Sequence, residues 1–321
     1  MPKLSRRWAG IAGAGLTLAC LAFFGLQLRG LLSDGDFDLQ SSLPLIPASL
    51  AAFLVAFAAF SIAWHLLLLT VGARPAIATS TGVFATTQFG KYLPGNVGHH
   101  VGRVALSTSL GLPADAVMVT MIAEVAIVFA WMGVLGLPLL DFWLVRLDID
   151  GHRLAMMLCT LVAGGAMTAL VAWRLFRRHA RFAAAVGSLH LALKHALRSP
   201  VPAASAATLI LFGILATSLS LALLDPARAL PTAALFPAVA GLFAAAWLLG
   251  FVTPGAPAGI GIREVVLTEG LAPLIGRDQS LLVALLFRIV STLADFLVFL
   301  AGLCILWWDR RRVRRLPPIA P

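Results

Sequence analysis

Arginine is costly inside apolar sequence, and this chain places two there in the same context. One stretch reads Tyr92-Leu93-Pro94-Gly95-Asn96-Val97-Gly98-His99-His100-Val101-Gly102-Arg103. The other reads Val252-Thr253-Pro254-Gly255-Ala256-Pro257-Ala258-Gly259-Ile260-Gly261-Ile262-Arg263. In each, a Pro-Gly pair leads through further glycines to an arginine nine residues after the proline. Pro94 and Pro254 stand 160 residues apart in a chain of 321. A Pro-Gly break frees backbone N–H groups and helix N-termini, which carry partial positive charge. The guanidinium beyond it adds a permanent charge whose fork suits phosphate or carboxylate. Two such elements facing each other would grip an anionic headgroup. The alternative is that Pro and Gly allow tight helix packing while each arginine is paired internally.

The candidate site therefore gathers Lys91, Pro94, Gly95, Asn96 and Arg103 from the first stretch. Pro254, Gly255, Gly259, Gly261 and Arg263 come from the second, with Arg288 from the last apolar segment. Lys91 either meets the same anion or snorkels to the interface. Glu124 lies about ten residues into its span and needs a partner there, such as Arg103. Glu264 adjoins Arg263, so the two point to different faces of a shared helix. Arg288 and Asp295 are seven apart and share one face. They bridge through a third group, or Arg288 contacts ligand while Asp295 balances it. His99 and His100 are placed either as proton relays or as cavity lining, and His65 as a core histidine with its polar needs met. Cys20, Cys159 and Cys304 sit in apolar spans as packing residues, and no metal-ligand or cofactor motif is present.

The elements that must position these groups follow from composition. Sixty per cent of residues are hydrophobic and twelve per cent charged, too little polar surface for a soluble domain. The net charge of +10 then reports loops beside membrane segments rather than nucleic-acid binding. Apolar segments run Trp8 to Leu28, Leu45 to Val71, Ala114 to Leu140, Leu154 to Trp173, Pro202 to Leu224 and Ser280 to Trp308. Broken units occupy Ile77 to Ser107 and Pro231 to Leu274. The first segment is too long, and lacks the small-residue site, for a cleaved signal peptide.

Basic residues at Lys3, Arg6 and Arg7, from Arg174 to Arg198, and from Arg310 to Arg315 mark the cytoplasmic side. The segment Arg174 to Arg198 reads as either an amphipathic surface helix or a solvated loop. Parity closes if both broken units enter and leave on one face, the first from the cytoplasm and the second from outside. The expected fold is an all-α polytopic membrane protein with about six full transmembrane helices and two re-entrant helical hairpins in an inverted repeat. Its halves are 1–150 and 151–308, followed by a basic cytoplasmic tail, 309–321, with both termini cytoplasmic in the inner membrane. Thr232 to Phe251 is long enough to be a full span instead of half a hairpin.

The phrase Gly90-Lys91-Tyr92-Leu93-Pro94-Gly95-Asn96-Val97, with Gly102-Arg103, resembles the lysylphosphatidylglycerol synthase transmembrane-region family, also called flippase-like membrane proteins. So does Pro254-Gly255 leading to Gly259-Ile260-Gly261-Ile262-Arg263-Glu264, though it is richer in Ala and Pro than the usual form. The likeness covers essentially the whole chain. Glu124 and Arg288 stand where members carry an acidic and a basic intramembrane residue. The resemblance implies movement of an anionic phospholipid or polyprenyl-linked lipid between leaflets. The alternative is a non-transporting accessory subunit of a glycosyltransferase or lipid-modifying enzyme. Since no segment after Trp308 could form an aminoacyltransferase domain, lysyl transfer is not expected, and without a His-Glu-x-x-His motif, a Gly-x-Ser-x-Gly elbow or paired aspartates for metal-phosphate chemistry neither is another enzyme activity. Nor is ATP use, because no phosphate-binding loop is found.

Overall fold

The computed structural model describes residues 39–92, 98–139, 194, 200–227, 230, 233–253 and 257–314. Every regular element among them is helical. We number the eight long helices α1 (Ile46–Thr70), α2 (Ile77–Gln88), α3 (Gly98–Ser109), α4 (Ala114–Gly136), α5 (Pro200–Ala222), α6 (Phe236–Val252), α7 (Ile262–Ile275) and α8 (Arg277–Arg314). Of these, α1, α4, α5 and α8 are long and apolar enough to cross a bilayer. The segments read as spans at Trp8 to Leu28 and Leu154 to Trp173 lie outside the described residues. So does the basic segment from Arg174 to Arg198, Lys194 excepted.

Helix ends follow local sequence. Pro47 opens α1, and Gly72, at φ 81°, ends it in the left-handed conformation that glycine accepts without a Cβ clash. Between α1 and α4 the chain is broken as expected. Helices α2 and α3 have 12 residues each, about 18 Å by helical rise, against a hydrocarbon core of about 30 Å. A 3₁₀ turn, Phe89–Tyr92, follows α2, and Pro94, Gly95 and Asn96 lie outside the described residues.

The second unit breaks the same way. Its first helix, α6, has 17 residues, and a 3₁₀ turn at Pro257–Gly259 precedes the 14-residue α7. At about 26 Å, α6 is shorter than the full span that Thr232 to Phe251 could have formed. Pro254 and Gly255 also fall outside the described residues. The last span is longer than its apolar core. It continues as helix through the basic residues to Arg314, so the tail expected from residue 309 begins as the end of α8.

Packing pairs the two halves reciprocally. Helix α2 lies against α8, as α6 lies against α4. Similarly, α3 meets α4 while α7 meets α8, and α1 and α5 pack along each other at the centre. The Ser49 hydroxyl donates to the Ser220 carbonyl at 2.7 Å within this central pair. The two 3₁₀ turns touch each other. Outward-facing positions on α8 are apolar, including Phe296, Leu300 and Leu303, as expected where lipid is the solvent. Trp307 and Trp308 precede the terminal arginines, and the Arg311 guanidinium lies 3.7 Å from the Trp307 ring centroid.

Candidate functional site: a charged cavity at the two breaks

Where the broken units meet, a cavity of about 200 Å³ opens among α1, the two turns and the last span. That is many times what one water needs. It brings together Lys91, His99, His100, Arg103 and Glu124 from the first half, and Arg263, Glu264, Arg288 and Asp295 from the second. Its other walls are largely aromatic, with Phe53, Phe57 and Phe60 on one side and Trp247 and Phe251 on the other.

Three of its four permanent cations are held by carboxylates. Arg103 is almost fully buried on α3, and its Nη1 donates to Glu124 Oε2 on α4 at 2.5 Å. Its guanidinium also lies 4.4 Å from the Phe84 ring centroid and 5.0 Å from that of Trp64. Glu124 therefore has the partner its depth requires. Lys91 Nζ, in the first 3₁₀ turn, is 2.7 Å from the fully buried Asp295 carboxylate on α8, rather than snorkelling. Arg288 sits 3.5 Å from Glu264 and donates to the Ala258 carbonyl at 3.4 Å.

Glu264 has a second duty. Its other carboxylate oxygen accepts the Gly261 N–H at 2.6 Å, capping the start of α7. Gly261 can hold this geometry because its φ is 86°. Arg288 and Asp295 share a face as their spacing requires, and the third group beside both is Tyr92. Its hydroxyl donates to Asp295 at 2.5 Å, and its ring lies 5.9 Å from the Arg288 guanidinium. Sequence spacing alone gives Tyr92 no role. Its one signal was being the single tyrosine, beside Lys91, in a chain with 19 phenylalanines.

Arg263 is different. Among the described residues it has no ion pair, while its Nε, like that of Arg103, is buried without a hydrogen-bond partner. Its guanidinium lies 5.8 Å from the Trp247 ring centroid. The side chain passes between two glycines. A Cβ at Gly250 would fall 2.7 Å from Arg263 Cγ, and one at Gly259 would fall 2.6 Å from Nε. Both positions must stay bare for the arginine to lie where it does. Gly259 thus acts through clearance, and Gly250 is a site residue that the motif spacing did not reveal.

The imidazoles of His99 and His100 stack with centroids 3.8 Å apart, and neither Nδ1 has a partner. They line the cavity beside Gly90, where a Cβ would strike the His99 backbone nitrogen at 2.7 Å. His65 lies apart from the site, with Nδ1 2.8 Å from the Ser80 hydroxyl.

Together the cavity holds Lys91, Arg103, Arg263 and Arg288 against Glu124, Glu264 and Asp295. Four cations and three carboxylates leave one positive charge in a largely aromatic enclosure. A model of the lysylphosphatidylglycerol synthase TM region matches residues 8–302. The chain belongs to that family. No curated protein gives a significant match to it. As a member, the chain is a multi-pass membrane protein whose family name ties this membrane region to lipid modification.

Proposed function

We propose that this chain moves an anionic lipid, a phospholipid or polyprenyl-linked precursor, between the leaflets of the cytoplasmic membrane. The headgroup occupies the cavity while the acyl chains stay in lipid. The observation that carries this reading is Arg263, a cation with no ion pair among the described residues, in a cavity formed where two broken helical units meet. An unpaired charge held away from bulk water is costly, and an anionic ligand would offset that cost. The lining of cations, imidazoles and aromatic rings favours binding and passage over catalysis.

The architecture proposed with it has about six spans and two re-entrant hairpins, the second half inverted relative to the first. Reciprocal contacts between the halves support such a repeat, because each helix pairing in one half has a counterpart in the other. Alternating access would then come from one half rocking against the other around the cavity. Both termini would be cytoplasmic. Cysteines introduced at the exposed positions Arg74 and Ala227 should label from opposite faces, and labelling from one face would sink the inverted arrangement.

The direct test is reconstitution into liposomes, following transfer of labelled anionic phospholipid between leaflets. Wild type should accelerate it and Arg263→Gln should lose most of the acceleration while staying folded. Equal rates in the two proteins would make Arg263 a packing residue. A second reading, a non-transporting accessory subunit for a lipid- or glycan-modifying enzyme, is favoured by the internal pairing of the other three cations. It predicts no transfer by the purified chain under any lipid composition.

A further inference from the structure

The cavity's charges also bear on which headgroup it takes, and this step rests on the reading of the cavity as a headgroup site. Each carboxylate is already engaged. Asp295 takes Lys91 and Tyr92, Glu124 takes Arg103, and Glu264 takes the Gly261 N–H and Arg288. No acidic group among the described lining residues is left for a cationic ligand. On the donor side, Arg103 Nε, Arg263 Nε and Arg288 Nη2 are buried with no acceptor, and the Nδ1 atoms of His99 and His100 are buried without a partner. The enclosure offers hydrogen-bond donors and one uncompensated positive charge.

We propose that the cavity selects a singly charged phosphodiester without an amine, its phosphoryl oxygens seated on Arg263, and rejects aminoacylated or otherwise cationic headgroups. A phosphodiester carries one negative charge and would bring the enclosure to neutrality. A phosphomonoester carries about −1.5 to −2 at neutral pH and would leave it negative. A lysylated headgroup brings ammonium groups that find no free carboxylate and face like charge, which costs several kcal/mol elsewhere in protein recognition. Phosphatidylglycerol has the required chemistry, and lysylphosphatidylglycerol, the lipid in the family's name, does not.

Equilibrium binding to the purified full chain tests this separately from transport. Native mass spectrometry with dioctanoyl phosphatidylglycerol, its lysyl ester, phosphatidylethanolamine and phosphatidate would rank the headgroups. Soluble glycerophosphoglycerol and inorganic phosphate serve as competitors. Phosphatidylglycerol should bind about tenfold or more tightly than the lysyl ester. Arg263→Gln should weaken its binding by a similar factor, since a hydrogen bond to a charged group is lost. Arg263→Lys should keep the preference for the monoanion at lower affinity, because charge remains without the fork.

Competition by glycerophosphoglycerol as strong as by the lipid would support the phosphodiester site and assign it to a soluble solute. Weak competition would support it and assign it to the membrane. Lysyl ester or phosphatidate binding as tightly as phosphatidylglycerol would overturn the proposal, as would tighter binding of inorganic phosphate. Liposomes that transfer the lysyl ester as fast as phosphatidylglycerol would preserve the transport reading and overturn this one. Selective binding without transfer would do the reverse.

Discussion

Arg103 and Arg263 occupy the same place in two motifs of equal spacing, yet the protein treats them oppositely. Arg103 is locked between Trp64, Phe84 and the Glu124 carboxylate, whereas Arg263 lies between two glycines with no ion pair among the described residues. A difference can be read on the neighbouring span. Carried forward by the same 160 residues, Glu124 falls on Ala284, which also lines the cavity. At the same offset that relates the two arginines, the first half has an acid where the second has a methyl group. The converse holds for Arg288, whose counterpart in the first half is Val128. A repeated motif supplies two similar frames, and the partners on adjacent helices decide which frame binds and which braces.

The largest effect should come from breaking the brace. Arg103→Met leaves the Glu124 carboxylate buried without a cation, which typically costs about 3–5 kcal/mol. The thermal midpoint in detergent should fall steeply. Adding Glu124→Gln should recover most of the loss, because a buried pair replaced on both sides is often close to neutral. If the single variant melts like wild type, the pairing at 2.5 Å is not what holds α3 to α4.

Next in size is the attempt to make the second half resemble the first. Ala284→Glu puts an acid at the counterpart of Glu124 and removes the surplus charge beside Arg263. Lipid transfer should drop about tenfold or more, as for loss of a charged hydrogen bond. Arg263 would then be paired, so the protein should remain folded. Undiminished transfer would mean that the surplus charge of the cavity does not govern its ligand.

A smaller effect is expected from the clearance around Arg263. Gly250→Ala places a methyl group 2.7 Å from its Cγ, and inserting a methyl into a filled space costs about 1–3 kcal/mol. The guanidinium must move, so anionic lipid affinity should fall while Arg103 and its pair stay unchanged. Gly102→Ala, immediately before Arg103, meets nothing closer than the Thr87 side chain at 3.5 Å and should be silent. Equal loss from both substitutions, measured by lipid binding, would remove the distinction between the two arginines.

Sequence legibility followed the same division. Apolar runs located α1, α4, α5 and α8, since a bilayer imposes length and composition directly. The Pro-Gly pairs located both breaks because backbone rules act locally. Glu124 could be matched to Arg103 because a deeply placed acid leaves few alternatives. The choice made by Asp295 was not legible. Periodicity places it on the Arg288 face of α8, but cross-helix packing delivers Lys91 and Tyr92 to it from a turn more than 200 residues earlier. For the same reason, spacing alone could not show which arginine is unpaired.

Tyr92 gives the most delicate test, because it belongs to the first break but leans on the last span. Its hydroxyl donates to Asp295, which also holds Lys91, so one carboxylate ties the first turn to α8. The second turn is tied to the same helix by Arg288 through the Ala258 carbonyl and Glu264. Tyr92→Phe keeps the ring and removes one hydrogen bond to a charged group, about 1.5–3 kcal/mol at most. Lys91 remains to satisfy the carboxylate, so the observed loss should fall near the low end of that range. On the proposal that the first turn braces and the second binds, stability should decline slightly while the headgroup ranking stays the same. A changed ranking would place Tyr92 in contact with the ligand and make the first turn a binding element as well.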